Sequence, residues 1–101
     1  MVVLRHECRV FKDGNGLALW VGSTEGQTTL ERINGPSHLA YVVYASTQED
    51  AMQQHHDRQR WGPYVPVPGL TDQPYEIEAL RRQLAEYPDD AELRRLNGIN
   101  P

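Results

Sequence analysis

Over the first 45 residues, apolar and polar side chains alternate with a period of two, in runs broken by glycine-bearing turns. A first strand over 2–12 sets Val2, Leu4, His6, Cys8 and Val10 on one face. Its other face carries Val3, Arg5, Glu7, Arg9 and Phe11, is mostly polar and is expected to be solvated. Leu17 to Val21 reads as a second strand, and Gln27 to Ile33, β-branched and alternating, as a third with the polar character of an edge. His38 to Ala45 is the most apolar run, with both faces apolar, and is expected to be the central strand. The turns Asp13-Gly14-Asn15-Gly16, Ser23-Thr24-Glu25-Gly26 and Asn34-Gly35-Pro36-Ser37 separate these runs at intervals of roughly ten residues. Hairpin connections favour sequential antiparallel neighbours; a crossing that sets the fourth strand beside the first is the alternative.

After Ala45 the period becomes helical. Ser46 or Thr47 caps a helix over 47–61, with Glu49 and Asp50 in its first turn and Gly62-Pro63 ending it. Ala51, Met52, His55, His56 and Gln59 make a weak stripe, so this helix is expected to lie shallowly on the sheet or to be partly exposed. Residues 62–74 hold four prolines and two glycines, a stiff extended crossing. Its Tyr64, Val65, Val67 and Leu70 are expected to pack against the domain, with a binding segment as the alternative.

A helical hairpin follows over 75–98. Its first helix starts after Asp72 with Pro74 in the first turn, and Ile77, Leu80, Leu84 and Tyr87 form its stripe, with Glu78 facing Arg82. Pro88 ends it; Asp89 with Glu92 caps a short partner carrying Leu93 and Leu96, which Asn97-Gly98 ends. The string LAEYPDDAELRRLNG resembles the junction between two tetratricopeptide repeats. The likeness spans about fifteen residues, with no second copy at the period of about 34 that such arrays need. The expected architecture is therefore one α+β domain over 1–101: a four-stranded, mainly antiparallel sheet like a meander over 1–46, one packing helix, the crossing and a C-terminal helical hairpin.

Charge and composition narrow the function classes. A net charge of −4 with mixed signs throughout disfavours a general nucleic-acid binder, whose affinity comes from neutralising phosphates. Cys8 is the single cysteine, which excludes an intramolecular disulfide. The N-terminal MVVLRHECRVF carries Arg5, His6, Glu7 and Arg9 within its apolar run, unlike a signal peptide or a membrane span. A cytoplasmic location is the expectation.

Chemistry concentrates in His55-His56-Asp57-Arg58-Gln59-Arg60-Trp61. Neighbours on a helix point about 100° apart, so His55 and His56 do not share a metal ion, which needs ligands three or four residues apart. His6, Cys8 and His38 would converge only if the first and fourth strands pair, and their spacing matches no metal motif. The glycine turns precede no helix dipole that would hold a phosphate. No catalytic residue, metal site or cofactor is assigned. The expected function is a small non-enzymatic protein-interaction module, an accessory or inhibitor protein, whose partner is another protein. Its expected surface is Gln53–Tyr64, with His55, His56, Arg58, Arg60, Trp61 and Tyr64 as binding residues. The alternative is a small enzyme or nucleic-acid-processing protein using His55, His56 and Asp57, with Arg58, Arg60 and Trp61 beside Tyr64 as the nucleic-acid contact.

Overall fold

The computed structural model describes residues 1–11 and 16–99. In chain order these form β1 (Leu4–Phe11), β2 (Leu17–Val21), α1 (Thr24–Asn34), β3 (Ser37–Ala45), α2 (Gln48–Gln59), α3 (Ile77–Glu86) and α4 (Ala91–Leu96). The sheet has three strands in the order β2-β1-β3, both pairings antiparallel. The α+β class stands; the four-stranded sheet with a single packing helix does not. The tight turn expected at 13–16 lies, apart from Gly16, outside the described residues.

The expected third strand is the helix α1. Ser23 is its N-cap and accepts a hydrogen bond from the Gly26 N–H at 2.9 Å, so the Ser23–Gly26 signal starts a helix instead of turning a hairpin. Within 27–34 the half-buried residues are Gln27, Leu30, Glu31 and Asn34, a helical stripe. None of α1 is fully buried, so local capping outweighs the β propensity of Thr28, Thr29 and Ile33. Gly35, at φ 87°, returns its N–H to Glu31 O at 2.8 Å and closes the helix. The Glu31 carboxylate then accepts from the backbone N–H and hydroxyl of Ser37, at 2.8 and 2.7 Å, where β3 begins.

Removing one strand changes the sheet. β1 becomes central and β3, the most apolar run, becomes an edge, the arrangement weighed above as the crossing. A bulge between Cys8 and Arg9 leaves Ala40 unpaired in β3. The β1 face bearing Arg5 and Glu7 is covered rather than solvated. Glu7 is buried between Arg5 at 2.9 Å and Arg9 at 3.2 Å. Arg5 also meets Asp90 at 2.9 Å and lies over the Tyr87 ring, 4.5 Å from its centre. Burial opposes charge on Arg5, but Asp90 and Glu7 outweigh it and raise its pKa.

Side-chain amides complete the central strand. The β2 pairing ends at His6–Val21, with Gly22 N–H still donating to Arg5 O at 2.9 Å. There the Gln83 amide takes over: Oε1 accepts from Arg5 N–H at 2.8 Å, and Nε2 donates to the carbonyls of Arg5 at 2.8 Å and Gly22 at 2.9 Å. Two residues earlier, Asn97 does the same for Val3, accepting from its N–H and donating to its carbonyl, both at 2.8 Å. Backbone groups that would otherwise be stranded are thereby satisfied, and the C-terminal helices are bound to the sheet.

One apolar cluster joins Leu4, Leu80 and Leu93; a second joins Val43, Ala45 and Ala51 beneath α2. The helical hairpin differs in detail from expectation. α3 begins at Ile77, three residues beyond Pro74. Asp90, not Asp89, caps α4, accepting from Leu93 N–H at 3.0 Å. Glu78 meets Arg81 at 3.6 Å rather than Arg82.

Candidate functional site

Helix α2 ends where the chemically dense segment lies. Thr47 caps its start, accepting from Asp50 N–H at 3.1 Å. Arg60 ends it in the left-handed conformation, φ 59°, which lets Trp61 N–H reach back to His56 O at 3.0 Å. That reversal folds the Trp61 indole against both histidine rings, edge to face, at 5.2 and 5.3 Å. Tyr64 closes on the far side of His56 at 5.2 Å.

His55 points inward and is buried. Its Nδ1 meets the Tyr41 hydroxyl, which also accepts from the Gln59 amide at 3.1 Å. Burial, then the neighbouring His56, lowers the His55 pKa and keeps the ring neutral. Arg58 lies over the outer face of the Tyr41 ring, 4.3 Å from its centre. Asp57 turns away and accepts from Gln53 at 2.9 Å. The three residues of the enzymatic alternative thus face three different environments: a buried hydroxyl, an aromatic pair and a solvated amide. Arg60 is exposed at the helix end.

Cys8 is fully buried beside Tyr41, and burial raises its thiol pKa. His6 is also fully buried. The Leu4 carbonyl can only accept, so neutral His6 donates from Nδ1 at 3.1 Å, and Nε2 accepts from the Tyr75 hydroxyl at 2.7 Å. His38 is exposed and pairs with Val10, four positions along β1 from His6. Among the described residues no group of three or more His, Cys, Asp or Glu is placed to hold a metal ion. None of their helices is long and apolar enough to cross a membrane.

The crossing at 62–74 departs most from expectation. Val65, Val67 and Leu70 stand 80%, 56% and 70% exposed, and Trp61 before them is 56% exposed. Tyr64 alone of the four apolar side chains expected to pack is half-buried. Both ends of the segment are nevertheless fastened. Tyr64 N–H donates to the Gln53 side chain at 2.9 Å. Asp72 accepts from Glu49 N–H at the start of α2, at 3.3 Å, and Tyr75 N–H reaches Ser46 O at 3.2 Å. Asp72 therefore serves α2 rather than starting α3. Between these anchors Leu70 N–H closes a turn on Val67 O at 3.3 Å.

Under this arch is a groove of about 550 Å³, within the usual range for binding sites. Tyr64, Val67, Leu70, Pro74, Tyr75 and Ala79 supply its apolar wall. Glu49, Asp72, Glu76 and Glu78 line it with carboxylates, against one arginine, Arg82. Burial raises the Glu49 pKa, and the nearby Asp72 raises it further. Glu76 occupies the N-cap position of α3 without a side-chain capping bond. This carboxylate rim went unread in the sequence. Its members are scattered from 49 to 78 and meet only because the crossing returns to the start of α2. The valines carried a readable signal: an extended proline helix turns about 120° per residue, so Val65 and Val67 cannot share a buried face.

No protein-family model matches the chain, and neither a curated protein nor a solved structure matches it.

Proposed function

We propose that this protein is a non-enzymatic interaction module whose contact surface runs from Trp61 along the crossing to α3. The supporting observation is the exposure of Trp61, Val65, Val67 and Leu70 on a segment hydrogen-bonded at both ends. Contiguous exposed apolar side chains weaken solubility and are characteristic of recognition surfaces. Anchoring reduces the ordering cost that a free linker would incur on binding. His55 and His56 support this surface by packing against Trp61 and Tyr64.

The test is affinity capture from cells of the source organism, with wild-type protein beside a Val67→Asp/Leu70→Asp variant. Both positions are exposed, so the variant is expected to keep its fold. The proposal predicts partners retained by the wild type and absent from the variant. Equal retention by both proteins would overturn it.

A further inference from the structure

We infer that the groove beneath the crossing docks a cationic amphipathic segment of another protein, its apolar side chains entering the groove and its Lys or Arg residues meeting the carboxylate rim. This deepens the interaction reading and rests on it. The argument begins with shape and polarity: a groove of about 550 Å³, apolar in its wall, accepts two or three large apolar side chains. Charge then selects the occupant. Four carboxylates line the groove and Arg82 is the lining cation, while Glu78 is shared with exposed Arg81 at 3.6 Å. Asp72 lies against Glu49, accepting from its backbone N–H, and burial and then Asp72 disfavour charge on Glu49, which an incoming cation would favour. A second copy of the chain would bring the same acidic rim against itself, and like charges across an interface oppose docking. The acidic net charge of −4 also draws a cationic partner from a distance.

The apolar arch above the groove is part of the same site. Val67 and Leu70 both line the groove and stand exposed, so a docked segment would cover side chains now in water. The anchors at Tyr64 and Asp72 fix the arch over the opening.

The experiment titrates the full chain into three fluorescently labelled peptides followed by anisotropy. One is an amphipathic helix of leucine and lysine, one replaces every lysine by glutamate, and one scrambles the first. The cationic helix is expected to bind at least about tenfold more tightly than either control, and to weaken several-fold between about 50 and about 300 mM salt. Val67→Asp/Leu70→Asp should abolish binding. Glu49→Gln/Glu76→Gln should weaken it and flatten the salt dependence while leaving the circular dichroism spectrum unchanged. Equal binding of the glutamate or scrambled peptide would overturn the inference, as would binding insensitive to both variants. A dimer by light scattering that the Val67→Asp/Leu70→Asp variant dissociates would assign the groove to a second copy and overturn it too. Failure of the peptides alongside successful, variant-sensitive capture from cells would refute the cationic partner and leave the interaction reading standing.

Discussion

Two buried histidines and one buried carboxylate define the residue scale. His6 and His55 are both held neutral, chiefly by burial, below the ordinary value of 6.5. In the acid range the unfolded chain binds protons that the folded chain does not, so stability rises with pH there. Their contribution is complete above 6.5 and is lost as pH falls from that value through the lowered folded ones. Urea midpoints are therefore expected to fall between about pH 7.5 and about pH 5.5, and His6→Gln should flatten that slope. Glu7 is a buried carboxylate that forms ion pairs with Arg5 and Arg9 at 2.9 and 3.2 Å. Glu7→Gln removes the carboxylate that Arg5 and Arg9 share, leaving Arg5 with Asp90 alone, and should cost about 3 kcal/mol by chemical denaturation. Tyr44, whose pKa is pushed up to about 12 by burial and then Asp90, is a hydrogen-bond donor at any physiological pH and holds Asp90 at 2.9 Å.

At the scale of elements, two devices position everything else. The Gln83 amide stands in for a strand residue beside Arg5 and Gly22, with donor and acceptor both engaged. Gln83→Leu keeps the volume but orphans the Arg5 N–H and the Gly22 carbonyl, while the Arg5 carbonyl keeps the Gly22 N–H, and should destabilise by about 3 kcal/mol in a urea titration. Helix α1 is the second device, and it explains how much of the fold was legible beforehand. Strands β1, β2 and β3 and helix α2 were readable because period and caps agree there. The segment 27–33 was not: Thr28, Thr29 and Ile33 favour a strand, while Ser23 and the 27/30/31/34 stripe favour a helix. With no buried residue to arbitrate, the cap decided. Once that segment leaves the sheet, β1 inherits both neighbours, which the apolarity of β3 had concealed. The second face of β1 was misread for a related reason: Arg5, Glu7 and Arg9 look solvated until Asp90 and Tyr87 arrive from more than 75 residues away. The candidate surface at 53–64 was legible as chemistry but not as geometry, since only the left-handed turn at Arg60 folds Trp61 onto the histidines. Trp61→Ala should uncover His55 and His56. The expected result is a modest loss of stability, about 1–2 kcal/mol for a half-exposed aromatic, with faster proton exchange at His55 read by NMR.

Over the whole molecule, the helices do two kinds of work. α2 lies on β3 and closes the Val43–Ala45–Ala51 cluster, while α3 and α4 close the Leu4–Leu80–Leu93 cluster. Leu93→Ala in the Leu4–Leu80–Leu93 cluster should cost about 3–4 kcal/mol, because truncating a fully buried leucine leaves a cavity that relaxation only partly fills. The crossing joins the two helical layers, and it carries apolar side chains that neither core takes up. The acidic rim around it is assembled from three separate elements, which gives the surface both charge and shape.

The arch and its groove form the surface proposed to meet a partner. The most direct measurement is an amide NMR map of the isotope-labelled protein, titrated with the cationic leucine–lysine helix. Shifts are expected to concentrate at 48–49 and 64–82, with Trp61 affected at the margin and α1 and β2 unchanged. Shifts centred on α1 or β2, or none along the crossing, would contradict the proposal.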